Sequence, residues 1–131
     1  MTPEQTIAAY FAAFNAGDTK AMLALVTDDL EHNVNQGAVR HGKGAFAEFL
    51  AAMQRAYRET AGDLVILTGP AGRMAAEFTI HGTYLATEAG CPPARGQGYA
   101  LSVGSFFALR DGKIARVTTC YNVPDWLAQV A

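Results

Sequence analysis

The feature that most constrains the fold is a pair of long apolar runs, Gln97–Arg110 and Lys113–Tyr121, joined by Asp111-Gly112. Asp-Gly suits a tight turn between antiparallel strands, because both residues tolerate the positive φ that such turns need. A hairpin is therefore expected here. Its first arm is two-sided: Tyr99, Leu101, Val103, Ser105, Phe107 and Leu109 alternate with Gly98, Ala100, Ser102, Gly104 and Ala108. Side chains alternate across a strand, so the bulky set forms one face and the small set the other. Glycines and alanines on one side suit a sheet that bends or is closely approached.

The remaining strand candidates are Leu30–Val34, Asp63–Leu67 and Met74–Leu85. In the last of these Met74, Ala76, Phe78, Ile80 and Tyr84 share one face, expected to meet helices, while Glu77, Thr79, His81 and Thr83 share the other. The helices come first in the chain. Ile7, Tyr10, Phe11 and Phe14 recur at helical spacing between Pro3 and the stop at Gly17-Asp18, and Asp18 can cap a short second helix carrying Met22, Leu23, Leu25 and Val26. A longer helix is expected from about Lys43 to Tyr57, with Phe46, Phe49, Leu50, Met53 and Tyr57 on one face. Thr87–Gly96, with Pro92-Pro93, reads as a long turn-rich connection. Helices followed by a mostly antiparallel sheet make an α+β fold, a single domain over residues 1–131. Its interior should be apolar with tyrosine tips, which fits a small-molecule pocket and equally a filled core.

Composition narrows the partners. A net charge of −2 leaves no basic excess for phosphates, so nucleic acid is not an expected partner. No apolar run approaches the roughly 20 residues that span a bilayer, so no membrane partner is expected either. Met1-Thr2-Pro3-Glu4 is acidic and no signal-type apolar stretch follows it, which makes the cytoplasm the expected location. Cys91 and Cys120 lack Cys-x-x-Cys spacing and read as free thiols. The three histidines have neither helical pair spacing nor a fixed acidic neighbour, so no metal and no cofactor is expected.

Two segments carry a family resemblance. Tyr10–Asp18 resembles the first helix of ketosteroid isomerase, with Tyr10 where a tyrosine donates to the substrate carbonyl. Gly82-Thr83-Tyr84, Gly90-Cys91-Pro92-Pro93-Ala94-Arg95-Gly96 and Phe106–Ile114 resemble the SnoaL-like polyketide cyclases, with their Gly-Thr-His strand end, Pro-rich loop and Asp-Gly-Lys-Ile hairpin. Tyr84 stands where that pattern has its histidine. The superfamily also includes nuclear transport factor 2, and the resemblance covers nearly the whole chain. It implies a cone: a curved, mixed, mostly antiparallel sheet wrapped around a long helix, with two shorter N-terminal helices. It further implies a small hydrophobic ligand and a homodimer, in which a second copy covers the outer sheet face around Glu77, Thr79, His81, Ala100 and Ser102.

The family's acids are missing. Alignment puts the isomerase's base aspartate at Asn33 or Val34, and its second acid at Gly104 or Ser105. The cyclases' acid falls at Thr119 or Asn122. None of these residues exchanges a proton as a carboxylate does. His32 is the candidate replacement base, since alternation with Leu30 and Val34 points it to the apolar side and imidazole titrates near 6.5. A core histidine bonded to backbone or to Tyr10 is the alternative. Phe49, Met53, Phe78, Tyr84, Tyr99 and Ser105 are expected along the pocket wall, and Tyr121, Asn122 and Trp126 near its mouth. If His32 enters the pocket, Asn33 should point away unless a bulge shifts the register. Two functions follow: a cofactor-independent proton-transfer enzyme, of isomerase or cyclase type, acting on a small hydrophobic carbonyl compound with His32 as base and Tyr10 as oxygen donor; or a non-catalytic module binding a small molecule or a protein.

Overall fold

A computed structural model describes residues 1–131. Helix α1 (Pro3–Ala16) opens on a reciprocal cap: Thr2 Oγ1 accepts from Gln5 N at 3.1 Å, and Gln5 Oε1 accepts from Thr2 N at 2.9 Å. It stops at Gly17, whose φ of 67° lies in the left-handed region where a Cβ is disfavoured. Asp18 then accepts from Ala21 N at 3.0 Å and starts α2 (Thr19–Ala24). The chain continues through β1 (Val26–Val34), the short β2 (Arg40–His41) and α3 (Lys43–Ala56). Next come β3 (Tyr57–Thr68), β4 (Arg73–Tyr84), β5 (Gly98–Arg110), β6 (Lys113–Tyr121) and α4 (Val123–Val130).

The strands form one six-stranded sheet in the order β2-β1-β6-β5-β4-β3. Only β1 and β6 run parallel; the other neighbours are antiparallel. The inner face is the bulky one, as strand parity predicts. Phe11 of α1 lies edge-on to Phe78 of β4 at 4.8 Å and to Phe107 of β5 at 6.1 Å, and Tyr10 meets Phe107 at 5.7 Å. Burying a side chain of this size is worth about 1.5–3 kcal/mol, so this contact fixes α1 across the sheet. The opposite face keeps Ala100, Ser102 and His81 exposed.

Two strand starts differ from the sequence reading by more than a residue, and one matters. β1 begins at Val26 rather than Leu30. β3 begins at Tyr57 rather than Asp63, and Tyr57 is the first residue of the strand, not the last of the helix. Its backbone is already extended, at φ −139° and ψ 148°, so α3 passes into β3 without a loop. The alternation of β3 is then broken by a bulge between Gly62 and Val65, where Asp63 takes φ 52°. The extra residue reverses the parity, so Tyr57, Glu59 and Ala61 share the inner face with Leu64 and Ile66. Asn15 of α1 anchors the strand just before the bulge, donating to Ala61 O at 3.1 Å and accepting from Ala61 N at 2.7 Å.

Candidate active site

Between α1, α3, α4 and the inner sheet face lies a cavity of about 440 Å³, lined by 24 residues of which 17 are hydrophobic. Tyr10, His32, Phe49, Met53, Phe78, Ser105, Thr119, Tyr121 and Trp126 all line it. Four other sequence candidates do not. Asn33 follows strand parity to the opposite side of β1, where its Oδ1 is enclosed without a partner. Tyr84 is fully buried, and its hydroxyl donates to Pro92 O at 2.8 Å and accepts from Glu88 N at 2.9 Å. It therefore ties down the Pro-rich loop instead of facing a ligand. Asn122 is exposed and caps α4 by accepting from Asp125 N at 3.1 Å. Tyr99 stands behind the wall, its hydroxyl turned to Glu59.

At one end His32 is held by shape. Its ring lies 5.0 Å from that of Phe46 and 4.5 Å from that of Phe49, both presented by α3. Only 3% of the residue is exposed, and its Nδ1 is enclosed without any hydrogen-bond partner. Burial, helped by the positive charge of Arg40, lowers the imidazole from 6.5 to about 4, so the neutral ring is the resting form. Arg40 pairs with His32 across β1 and β2 and stands 5.2 Å over the Phe49 ring. Tyr10 is buried in the same cavity, and that burial holds its hydroxyl protonated well above the ordinary tyrosine range.

Two of the positions that the family resemblance offers for its acids form a neutral pair. Ser105 and Thr119 face each other across β5 and β6, and their hydroxyl oxygens are 2.9 Å apart. Each satisfies the other, and neither is a proton acceptor near neutral pH.

The other end contains a group that the sequence reading missed. Glu59 of β3 lines the cavity, and its Oε2 accepts from Tyr99 Oη at 2.7 Å. Burial raises its carboxyl above the usual range, and the hydrogen bond from Tyr99 offsets part of that rise. Tyr99, its partner, packs edge to face with Tyr57 and Trp126, the three ring centroids 5.9–6.3 Å apart. Placing the strand start at Asp63 left Glu59 outside any strand, so its inward direction was not read. The alternation Tyr57, Glu59, Ala61 was the available signal.

A family profile described as SnoaL-like domain matches residues 7–117. A protein of Silicibacter sp. TM1040, provisionally assigned as a polyketide cyclase, is 55% identical, with 98% of this chain and 95% of that one covered and a TM-score of 0.95. Another provisional polyketide cyclase, from Pseudomonas putida KT2440, is 51% identical over 100% and 99% of the two chains, with a TM-score of 0.97. A phenazine biosynthesis-related protein of Pseudomonas aeruginosa shares the fold at 20% identity, covering 97% of this chain and 83% of its own, with a TM-score of 0.81. Comparison with curated proteins finds no match.

Proposed function

The chain belongs to the SnoaL-like domain family, and on that premise we propose that it binds a small, largely apolar carbonyl compound and moves a proton on it with its own side chains. The observation that carries this reading is His32: a neutral imidazole in an apolar cavity, without a hydrogen-bond partner to hold it in a purely structural role. His32 takes a proton from the carbon next to the carbonyl. The C–H pair becomes a carbon–carbon double bond, and the carbonyl pair moves onto oxygen. Tyr10 donates a hydrogen bond to that oxygen, and Arg40 adds positive charge beside His32. Where the substrate carries a β,γ double bond, the enolate is a dienolate; the imidazolium returns the proton to the γ carbon, the double bond moves to the α,β position and the carbonyl re-forms, giving the conjugated isomer. Alternatively, the enolate carbon attacks a second carbonyl, whose oxygen takes the proton, closing a ring.

The polyketide cyclase descriptions of the two close relatives support the carbonyl class of substrate. The test needs no knowledge of the natural substrate. 2-Tetralone in deuterium oxide exchanges its α-protons when a base is positioned beside it, and NMR reads the rate. Exchange well above buffer in the wild type, lost in His32→Ala with folding intact, is the expected result. A wild type no faster than buffer contradicts the proposal.

One observation favours the second reading, a non-catalytic binding module: none of the positions aligned with the family's acids holds a carboxyl group, and two of them, Ser105 and Thr119, pair with each other. Under that reading ligands bind as well to His32→Ala as to wild type, and neither protein exchanges protons. Either function is compatible with a homodimer, which we propose forms through the outer sheet face. Leu67, Ala75, Phe106 and Thr118 lie in one cross-strand row there, with Leu67 54% and Phe106 51% exposed. Light scattering at tens of micromolar should give twice the chain mass, and Phe106→Glu should shift it to a monomer.

A further inference from the structure

The cavity has a second polar end, and its construction is specific. Gly82 of β4 sits between Tyr99 of β5 and Glu59 of β3, paired in register with both. A Cβ at Gly82 would fall inside the Tyr99 ring. The missing side chain lets the phenol lie across β4 and reach Glu59 at 2.7 Å. A buried carboxyl costs stability unless it is used, and here three strands cooperate to hold one of its oxygens. The other oxygen, Oε1, has no protein partner and is not enclosed. Tyr121 lines the same cavity, and burial, helped by the nearby carboxylate charge of Glu59, raises its hydroxyl above the ordinary tyrosine range.

We infer that Glu59 Oε1 and the Tyr121 hydroxyl form a subsite for a hydroxyl group on the ligand, at the opposite end from the carbonyl-binding end of His32 and Tyr10. A hydroxyl can donate to the carboxylate while accepting from the phenol. A ketone or ether oxygen can only accept, and would leave the carboxylate oxygen unpaired in an apolar cavity. The ligand class is therefore a hydroxy-ketone with an apolar ring body, oxygen functions standing at both ends. This deepens the proposed function and rests on it for the position of the carbonyl. Glu59 also lines an adjoining cleft of about 400 Å³ between α1, α3 and β3.

Three matched fluorescent probes separate the possibilities: 2-acetylnaphthalene, its 6-hydroxy derivative and its 6-methoxy derivative. The 6-hydroxy probe should bind the wild type about tenfold more tightly than the parent, as expected for a hydrogen bond to a carboxylate, and the methoxy probe should gain nothing. Glu59→Gln should shrink that advantage. The double variant Glu59→Leu/Tyr99→Phe, which removes both partners of the buried hydrogen bond and leaves neither unsatisfied, should abolish it in a protein that keeps the wild-type circular dichroism. Equal binding of parent and hydroxy probes to wild type, or an advantage that survives in the double variant, overturns the subsite and leaves the carbonyl end standing. Failure of all three probes to bind overturns the pocket reading as well.

Discussion

The two ends of the cavity hold their polar groups by opposite means. His32 is caged by Phe46 and Phe49 and bonded to nothing, whereas Glu59 is gripped through one oxygen by Tyr99 across the gap at Gly82. A group without hydrogen-bond partners leaves a ring nitrogen free for a ligand, which suits a base. A group with one arm tied presents the other in a fixed direction, which suits recognition. Burial acts on both, and in each case it disfavours the charged form: the imidazole is pushed down and the carboxyl up.

The contrast breaks most visibly at His32. His32→Ala should slow α-proton exchange by about 10²- to 10⁴-fold while the affinity for an unreactive ketone changes little, because a base acts on the barrier more than on the bound state. Equal losses in rate and affinity would make it a binding residue like Glu59. Next is Gly82→Ala, where the added methyl group must displace the Tyr99 ring; overpacking of this kind costs about 1–3 kcal/mol. Thermal denaturation should show that loss, and the effect on binding should be confined to hydroxylated probes. Tyr10→Phe should weaken a phenol-type mimic such as 2-naphthol by about 0.5–1.5 kcal/mol, the net worth of a hydrogen bond between neutral groups, with no change in the preference for a 6-hydroxyl group.

The smallest effects are in the pH dependence of stability, and there the ends oppose each other. His32 is neutral in the fold down to about 4, while in the unfolded chain it takes up a proton near 6.5. Its contribution is therefore complete above about 6.5 and is lost as pH falls towards about 4. Glu59 has a raised folded value, so its contribution is present in acid and is lost as pH rises through that value. Denaturant melts across pH should show His32→Gln flattening the acid loss, and Glu59→Gln stabilising the protein more at neutral pH than in acid.

Much of this fold is written in local patterns. The parity of Met74–Tyr84 and Tyr99–Leu109 gave the inner face, and the Asp111-Gly112 turn and the Gly17-Asp18 stop fall where expected. His32 was legible for the same reason, since alternation alone directs it inward. Glu59 was hidden by two local events at once: a helix that becomes a strand without a turn, and a bulge at Gly62–Val65 that reverses the alternation. Neither leaves a proline or an Asn-Gly signal. The roles of Tyr84 and Tyr99 depend on partners 8 and 40 residues away along the chain, which no period reveals. Tyr84 lies on the inward face that parity assigns it, yet Pro92 and Glu88 occupy its hydroxyl.

The central claim is that one cavity keeps a neutral imidazole at one end and, at the other, a carboxyl whose titration burial pushes upward. A single pH titration followed by NMR, using imidazole nitrogen and glutamate carboxyl carbon signals assigned through His32→Gln and Glu59→Gln, tests both together. The account predicts that His32 titrates near about 4 and Glu59 above the ordinary glutamate range. A His32 midpoint near 6.5, or a Glu59 midpoint no higher than that of an exposed glutamate, would contradict it.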